Sequence, residues 1–378
     1  MSETDNGEEP GTSNLLEEKY RKQMRQIHPQ KIELPISTLQ AMIKDQITLN
    51  PEFQRRDRWD NRKRSRFIES IIMNVPIPPV FLGEDEYGTY VVLDGRQRLT
   101  AVYEFLKNSF PLEDLTVWVE LNNKRYADLE QSGLNRTLTR RFIPAILLLK
   151  ESSPEVKYDV FDRLNTGGVK ANEMEIRNAV FRGDFTKLIQ ELSGYSNFRK
   201  LWDIPEDPKA LSVNNLYSTM GDVEYVLRFF ALRHPESMEG RFKEYLSFFM
   251  KEKNESYNRE NRLLESDANL FKTTVDNTLE ILGDQAFSRI SPADGKPRRS
   301  APLADAVLFG MSFVDREKTT PADFILIKEA LNSLQSDTKF LSAITSGTNG
   351  KGAITERTTA AKLAIATAIP HAIKEHEV

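Results

Sequence analysis

The densest chemistry in this chain lies in one stretch, Tyr90-Val91-Val92-Leu93-Asp94-Gly95-Arg96-Gln97-Arg98-Leu99-Thr100. An apolar strand delivers a carboxylate, Asp94, and a glycine, Gly95, to a turn, and a helix starts at once with Arg96, Gln97 and Arg98. Backbone N–H groups are unpaired at a helix N-terminus and the macrodipole is positive there, so an anion, above all a phosphate, is favoured. Glycine lets a ligand approach the backbone closely. Two arginines in a first turn oppose that dipole and need a negative partner. A phosphate would serve; the plain alternative is that Asp94 caps the helix while Arg96 and Arg98 make surface ion pairs.

Two further segments carry polar groups in dense order. Between Glu52 and Arg66, seven basic residues (55, 56, 58, 62, 63, 64, 66) meet three acidic ones (52, 57, 60), a local +4 in a protein of net charge -4. The planar fork of arginine suits phosphate oxygens, and Trp59 could stack on a base, unless it belongs to the core and the arginines to a solvated helix face. The stretch from Phe161 to Glu175 joins a helix end, the pair Gly167-Gly168 and a new helix capped at Asn172. Its polar groups could line a pocket, or it is simply a helix-loop-helix joint.

Other candidates fall away. The chain has no cysteine and four histidines, at 28, 234, 371 and 376, so thiolate zinc sites, disulfides and a cysteine nucleophile are excluded and a histidine-built metal site is not expected. Gly347-Thr348-Asn349-Gly350-Lys351-Gly352 lacks the spacing of a Walker A loop. Arg298 and Arg299 sit in a Pro/Gly-rich stretch that reads as an ordinary loop, and His371 reads as an exposed tail histidine.

The elements that would position these groups follow from periodicity. Strands are expected at Lys31–Leu34, Val80–Gly83, Thr89–Leu93, Thr116–Leu121 and within Thr139–Leu149. Helices are expected from Ser37 to about Lys44, from an Asp60 cap to Asn74 with Phe67, Ile68, Ile71 and Ile72 on one face, and after Gly95 with Leu99, Val102, Tyr103 and Leu106 on one face. From about Asn172 onward the periodicity is almost only helical: Thr186–Leu192, Val213–Leu232, Glu239–Met250, Leu263–Leu282, Leu303–Phe313, Pro321–Leu334 and Thr358–Ala372. The fold class is therefore α+β, with an acidic tail and charged helix over residues 1–30, a mixed α/β domain over 31–171 and an all-helical domain over 172–378.

Composition sets the outer limits. At 378 residues, 39% hydrophobic and 29% charged, the chain has room for two cores. No window supplies eighteen consecutive apolar residues and the N-terminus lacks the pattern of a signal peptide, so a cytoplasmic protein without membrane contact is expected. A net charge of -4 means that any contact with nucleic acid must use a local patch.

Taken in order, the three segments resemble the N-terminal domain family of the GmrSD-type restriction endonucleases. The family's F-Q-R with a tryptophan stands here as Phe53-Gln54-Arg55 with Trp59, and its D-G-Q-Q-R box as Asp94-Gly95-Arg96-Gln97-Arg98. Its N-x-G-G stretch and E-L/I-R-N-A helix stand as Asn165-Thr166-Gly167-Gly168 and Glu175-Ile176-Arg177-Asn178-Ala179. The resemblance spans about Lys31 to Gly183. It implies a ParB/sulfiredoxin-like fold that binds, and in relatives hydrolyses, a nucleoside triphosphate with Mg²⁺ in systems that restrict foreign DNA.

Carried over by position, Asp94 would hold the divalent cation or orient water, Gly95 would admit the phosphates, and Arg96, Gln97 and Arg98 would contact them. Gln54 and Arg55 would clamp from the opposite wall, and Asn165 and Thr166 would close the pocket. Arg96 departs from the family's glutamine, which makes hydrolysis less secure than binding. The back half lacks the histidine cluster of an HNH nuclease, so cleavage of DNA by that chemistry is not expected. A nucleotide-dependent switch or sensor acting on DNA, or on a separately encoded nuclease or effector, is the implied function. The alternative is a non-catalytic DNA-binding or adaptor module using the arginine-rich 55–66 segment.

Overall fold

The computed structural model describes residues 17–18, 29–49, 59–85, 87–152, 157–158, 160, 173–257, 262–291 and 294–374. The chain divides into two compact units, 1–171 and 172–378.

In the first unit, β1 (Pro29–Pro35), β2 (Ile47–Thr48), β3 (Val80–Glu84), β4 (Tyr90–Asp94) and β5 (Phe142–Leu148) form a five-stranded mixed sheet of order β1-β5-β3-β4-β2. The β1–β5 and β3–β4 pairs are antiparallel, and β3–β5 and β2–β4 are parallel. β3 is central and buried along its whole length, as its apolar run Val80-Phe81-Leu82 requires. Three helices pack on the sheet, α1 (Ile36–Asp45), α2 (Asn61–Ile72) and α3 (Arg96–Leu106), and the segment after them adds Phe110, Leu112, Leu115, Leu121, Leu129 and Leu138 to the core. Ile68, Val80, Leu82, Leu99 and Val102 are fully buried in one cluster. Each contributes about 1.5–3 kcal/mol by leaving water, which fixes α2 and α3 against the sheet.

The helix starts are legible in atomic detail. The Asp60 carboxylate accepts from Lys63 N at 2.9 Å, closing the first turn of α2 as its cap. A short α4 (Leu134–Thr139) leads into β5.

The expected strand at Thr116–Leu121 is not formed; Val119–Leu121 is a single 3₁₀ turn. Buried polar groups of α2 explain why. Ser65 Oγ accepts from Glu113 N at 2.9 Å, and Glu69 Oε1 accepts from Val117 N and Trp118 N at 3.2 and 2.8 Å. Donors that a neighbouring strand would have taken are held by side chains instead.

The second unit is built of α5 (Glu173–Val180), α6 (Asp184–Ser193), α7 (Ser196–Trp202), α8 (Pro208–Val213), α9 (Asn215–Ser218), α10 (Gly221–Ala231), α11 (Phe242–Tyr257) and α12 (Arg262–Leu282). Then come a ribbon of β6 (Ser288–Ile290) and β7 (Pro297–Arg299), and α13 (Ala301–Met311), α14 (Pro321–Leu334), α15 (Thr338–Thr345) and α16 (Lys351–Ala368). Its aromatic core gathers Phe185, Phe198, Phe230 and Phe271, with Phe198 and Phe271 centroids 5.4 Å apart. A buried ionic centre lies among these helices: Asp305 accepts from Arg228 Nη2 at 2.5 Å and Arg357 Nη2 at 2.7 Å.

This unit is helical as expected and departs from the expected elements in three places. β7 of the β6–β7 ribbon falls within what read as a loop between Ser291 and Ser300, and β6 lies just before it. The single helix expected over Val213–Leu232 is broken at Asn214 and at Met220, which has φ +57. The last long helix starts at Lys351, within the glycine-rich loop, and ends at Ala368 rather than running to Ala372. Glycine is tolerated in a first turn, whose N–H groups lack intrahelical partners anyway. Beyond it, the backbone at Val314 bridges to Ile373, and His371 Nε2 lies 3.4 Å from Asp323 Oδ2 with its side chain 56% exposed.

Candidate functional site

The box Asp94–Arg98 sits where the sequence pattern puts it, at the end of β4 and the start of α3. Gly95 is the N-cap residue, with φ +91, a left-handed conformation that favours glycine, and no side chain caps the helix. Leu99 N donates to Gly95 O at 3.0 Å, completing the first turn. The N–H groups of Arg96, Gln97 and Arg98 precede the intrahelical ladder and mark the positive end of an eleven-residue helix.

The side chains of the box are partly committed to the fold. Arg98 Nη2 donates to Asp94 Oδ2 at 2.6 Å, and Nη1 donates to Pro78 O at 2.5 Å and Pro79 O at 3.2 Å. The negative partner that a first-turn arginine requires is, for Arg98, Asp94. The pair is unevenly placed: the Arg98 side chain is 13% exposed and that of Asp94 44%. Burial keeps the guanidinium in its fork of acceptors, while the carboxylate remains in reach of solvent.

Gln97 joins the box to the second motif. Its Oε1 accepts from the backbone N of Trp59 at 3.3 Å, so the start of α2 is tied to the start of α3. Trp59 packs edge-on against Phe67 with centroids 5.6 Å apart and lies half-buried against the core, which makes it a core residue. Of the nearby bases, Arg66 pairs with Asp114 at 3.2 Å and Arg64 lies 6.0 Å from the Phe110 ring, while Arg62 and Lys63 are exposed. Arg96 is half-buried. Gln54, Arg55, Asn165 and Thr166 lie outside the described residues.

Two partners of the box had no place in the sequence reading. Val80 packs so closely on Gly95 that a methyl group there would run into Val80 Cγ1 and lie 2.8 Å from Val80 Cβ. Gly95 is needed for this packing as well as for its backbone angle. The carbonyls of Pro78 and Pro79 hold Arg98, and the signal for them is Pro76-Ile77-Pro78-Pro79: proline carbonyls accept but offer no N–H in return.

In the second unit Arg177 is fully buried. It donates to Glu173 Oε2 at 3.1 Å, Glu224 Oε2 at 3.2 Å, Lys243 O at 3.1 Å and Ser247 Oγ at 3.1 Å. A charge with this many partners is a tie between α5, α10 and α11. Among the described residues no group of three or more His, Asp or Glu could hold a metal ion, and no helix is long and apolar enough to cross a membrane.

Residues 36–182 match the model of the GmrSD restriction endonuclease N-terminal domain. The chain carries a GmrSD N-terminal domain. The match takes in the box, Trp59, four of the five strands of the sheet and the Arg177 helix. Membership implies involvement in a restriction system. No curated protein and no solved structure matches the chain.

Proposed function

We propose that the GmrSD N-terminal domain of this chain binds the phosphates of a nucleoside triphosphate at the start of α3, and that the chain is a nucleotide-responsive switch or sensor of its restriction system. The observation that carries the reading is the left-handed Gly95 start of α3 without a side-chain cap, which puts the first-turn N–H groups of Gln97 and Arg98 at the positive end of a helix beside Arg96. Nucleotide phosphates would meet those N–H groups and the Arg96 guanidinium, with Gln54, Arg55, Asn165 and Thr166 as the further contacts that the family pattern supplies.

The proposal is binding first. Gln97 Oε1 already accepts from Trp59 N, so the oxygen that would orient water is shared with the start of α2, while its Nε2 donors suit a phosphate oxygen. Asp94 is a poor cradle for Mg²⁺, because one oxygen faces a guanidinium at 2.6 Å and a cation drawn in there would be repelled by it. An ion accompanying the nucleotide would take its ligands from the phosphates. The state of the site would be passed on to DNA or to a separately encoded nuclease or effector.

Titration of the four common triphosphates into wild type and Arg96→Ala, with and without Mg²⁺, tests this. Arg96 is tested rather than Arg98 because Arg98 is bonded to Pro78, Pro79 and Asp94, and a melting curve of the variant controls for loss of structure. Saturable binding by wild type that weakens in the variant supports the reading. Equal affinity in the two proteins would remove Arg96 from the site.

A further inference from the structure

The β6–β7 ribbon carries charge that its own fold leaves unanswered. The antiparallel register places Arg289 directly opposite Arg298, so the two side chains leave the same face side by side. Like charges in this relation destabilise a strand pair. From Ser288 to Arg299 there are four bases, Arg289, Lys296, Arg298 and Arg299, and one acid, Asp294: a local +3 in a chain of net -4.

Only one base is used to anchor the ribbon. Arg299 donates from Nε to Leu201 O at 2.6 Å and from Nη2 to Asp284 O at 3.3 Å. Arg298 pairs with Asp294 at 2.7 Å, but its side chain is 65% exposed, and an exposed pair of this kind adds little stability and is readily exchanged for a stronger anion. Arg289 and Lys296 have no carboxylate within ion-pair distance among the described residues. Lys296 sits in the tight turn closed by Ser291 N donating to Lys296 O at 2.9 Å, with Gly295 at φ +67. On the other face Ile290, opposite Pro297, is 64% exposed. The ribbon is therefore held firmly at its base and presents three bases with little internal use.

We propose that this ribbon is an arm that lies on the phosphate backbone of a nucleic-acid duplex, with Arg289, Lys296 and Arg298 as phosphate contacts. A row of phosphates answers several cations along one short ribbon at once, and it relieves the Arg289–Arg298 repulsion that the free protein bears. A two-stranded ribbon is also narrow enough for the major groove, about 12 Å wide. Contacts to phosphate position a protein without reading sequence, so the arm supplies affinity and orientation and leaves specificity elsewhere. This surface lies in the second unit and needs no nucleotide, so it is independent of the proposal for α3.

The test uses the full chain, a labelled duplex of roughly 25 base pairs without nucleotide, and salt from about 50 to 200 mM. Each phosphate contact adds about 0.9 to the slope of log K against log salt. The double variant Arg289→Ala/Lys296→Ala should flatten the slope by about 1.8 and weaken binding about 60-fold near 0.1 M salt. Its melting temperature should stay level or rise, since neither side chain supports the fold and one repulsion is gone. Absence of duplex binding by wild type at low salt overturns the proposal, as does an unchanged slope in the double variant. Binding of poly-glutamate as tight as that of the duplex, lost in the same variant, would reassign the arm to an acidic protein partner.

Discussion

Gly95→Ala separates a structural from a purely ligand-admitting role for this glycine. At φ +91 an L-residue bears a backbone cost of about 1–2 kcal/mol. The new methyl would also lie 2.8 Å from Val80 Cβ and overlap Val80 Cγ1, in a fully buried place at the head of β3, where overpacking costs about 1–3 kcal/mol. Together the loss is about 2–5 kcal/mol, or roughly 4–20 °C in the melting of a unit of this size. Hydrogen exchange followed by mass spectrometry reads it locally, in peptides across β4 and α3, so the second unit does not confuse the result. Because Val80 causes part of the damage, Val80→Ala in the same chain should recover some of it, and the double variant should be less destabilised than the sum of the singles. The reasoning is refuted if Gly95→Ala exchanges like wild type, or if the two changes simply add. A protein that kept its stability and lost only nucleotide binding would show that Gly95 serves the ligand alone.

Other outcomes follow from buried charge and hydrogen bonds. Asp305→Asn leaves Arg228 and Arg357 without their shared carboxylate and should cost about 3–5 kcal/mol in a denaturant melt. Burial alone would raise the Asp305 pKa, but the two guanidinium groups outweigh it and hold the pKa below the usual carboxylate range. The stabilisation is then complete above the unfolded-state value near 3.9 and is lost as pH falls toward the lowered folded value, so an acid melt of wild type should show a limb that Asp305→Asn lacks. Glu69→Ala strands the N–H groups of Val117 and Trp118 and should cost about 1–3 kcal/mol, with faster exchange at those two amides. Burial and a hydrogen bond to Asp276 push the Tyr195 phenol up to about 12. Its contribution is present below the unfolded value near 10 and is lost as pH rises through about 12, which absorbance titration of a Tyr195→Phe difference would reveal.

Much of the first unit could be read from local pattern. Asp60 caps α2, Leu99 and Val102 turn inward on α3, and the strand before Asp94 ends at the expected turn, because each depends on residues within a few positions of one another. What escaped the sequence depends on distant partners. The loop after Leu112 is shaped by Ser65 and Glu69 from 48 and 49 residues away, and the grip on Arg98 comes from prolines about 20 residues upstream. The ribbon at Ser288 was hidden by its own composition: Pro292, Gly295 and Pro297 read as loop, while the anchor that makes it a strand pair is Arg299 reaching back to Leu201. Gly95 was singled out in the sequence for letting a ligand approach the backbone, not for what the fold asks of it. Its left-handed angle and its contact with Val80 both emerged only with the assembled sheet and helix.

The central claim is that the start of α3 holds nucleotide phosphates, and calorimetric titration of wild type with ATP, GTP, CTP and UTP in the presence and absence of Mg²⁺ tests it most directly. The account predicts saturable binding of at least one of them, weakened in an Arg96→Ala variant that still melts cooperatively. No heat of binding from any of the four, under either condition, in a protein that melts cooperatively, would contradict it.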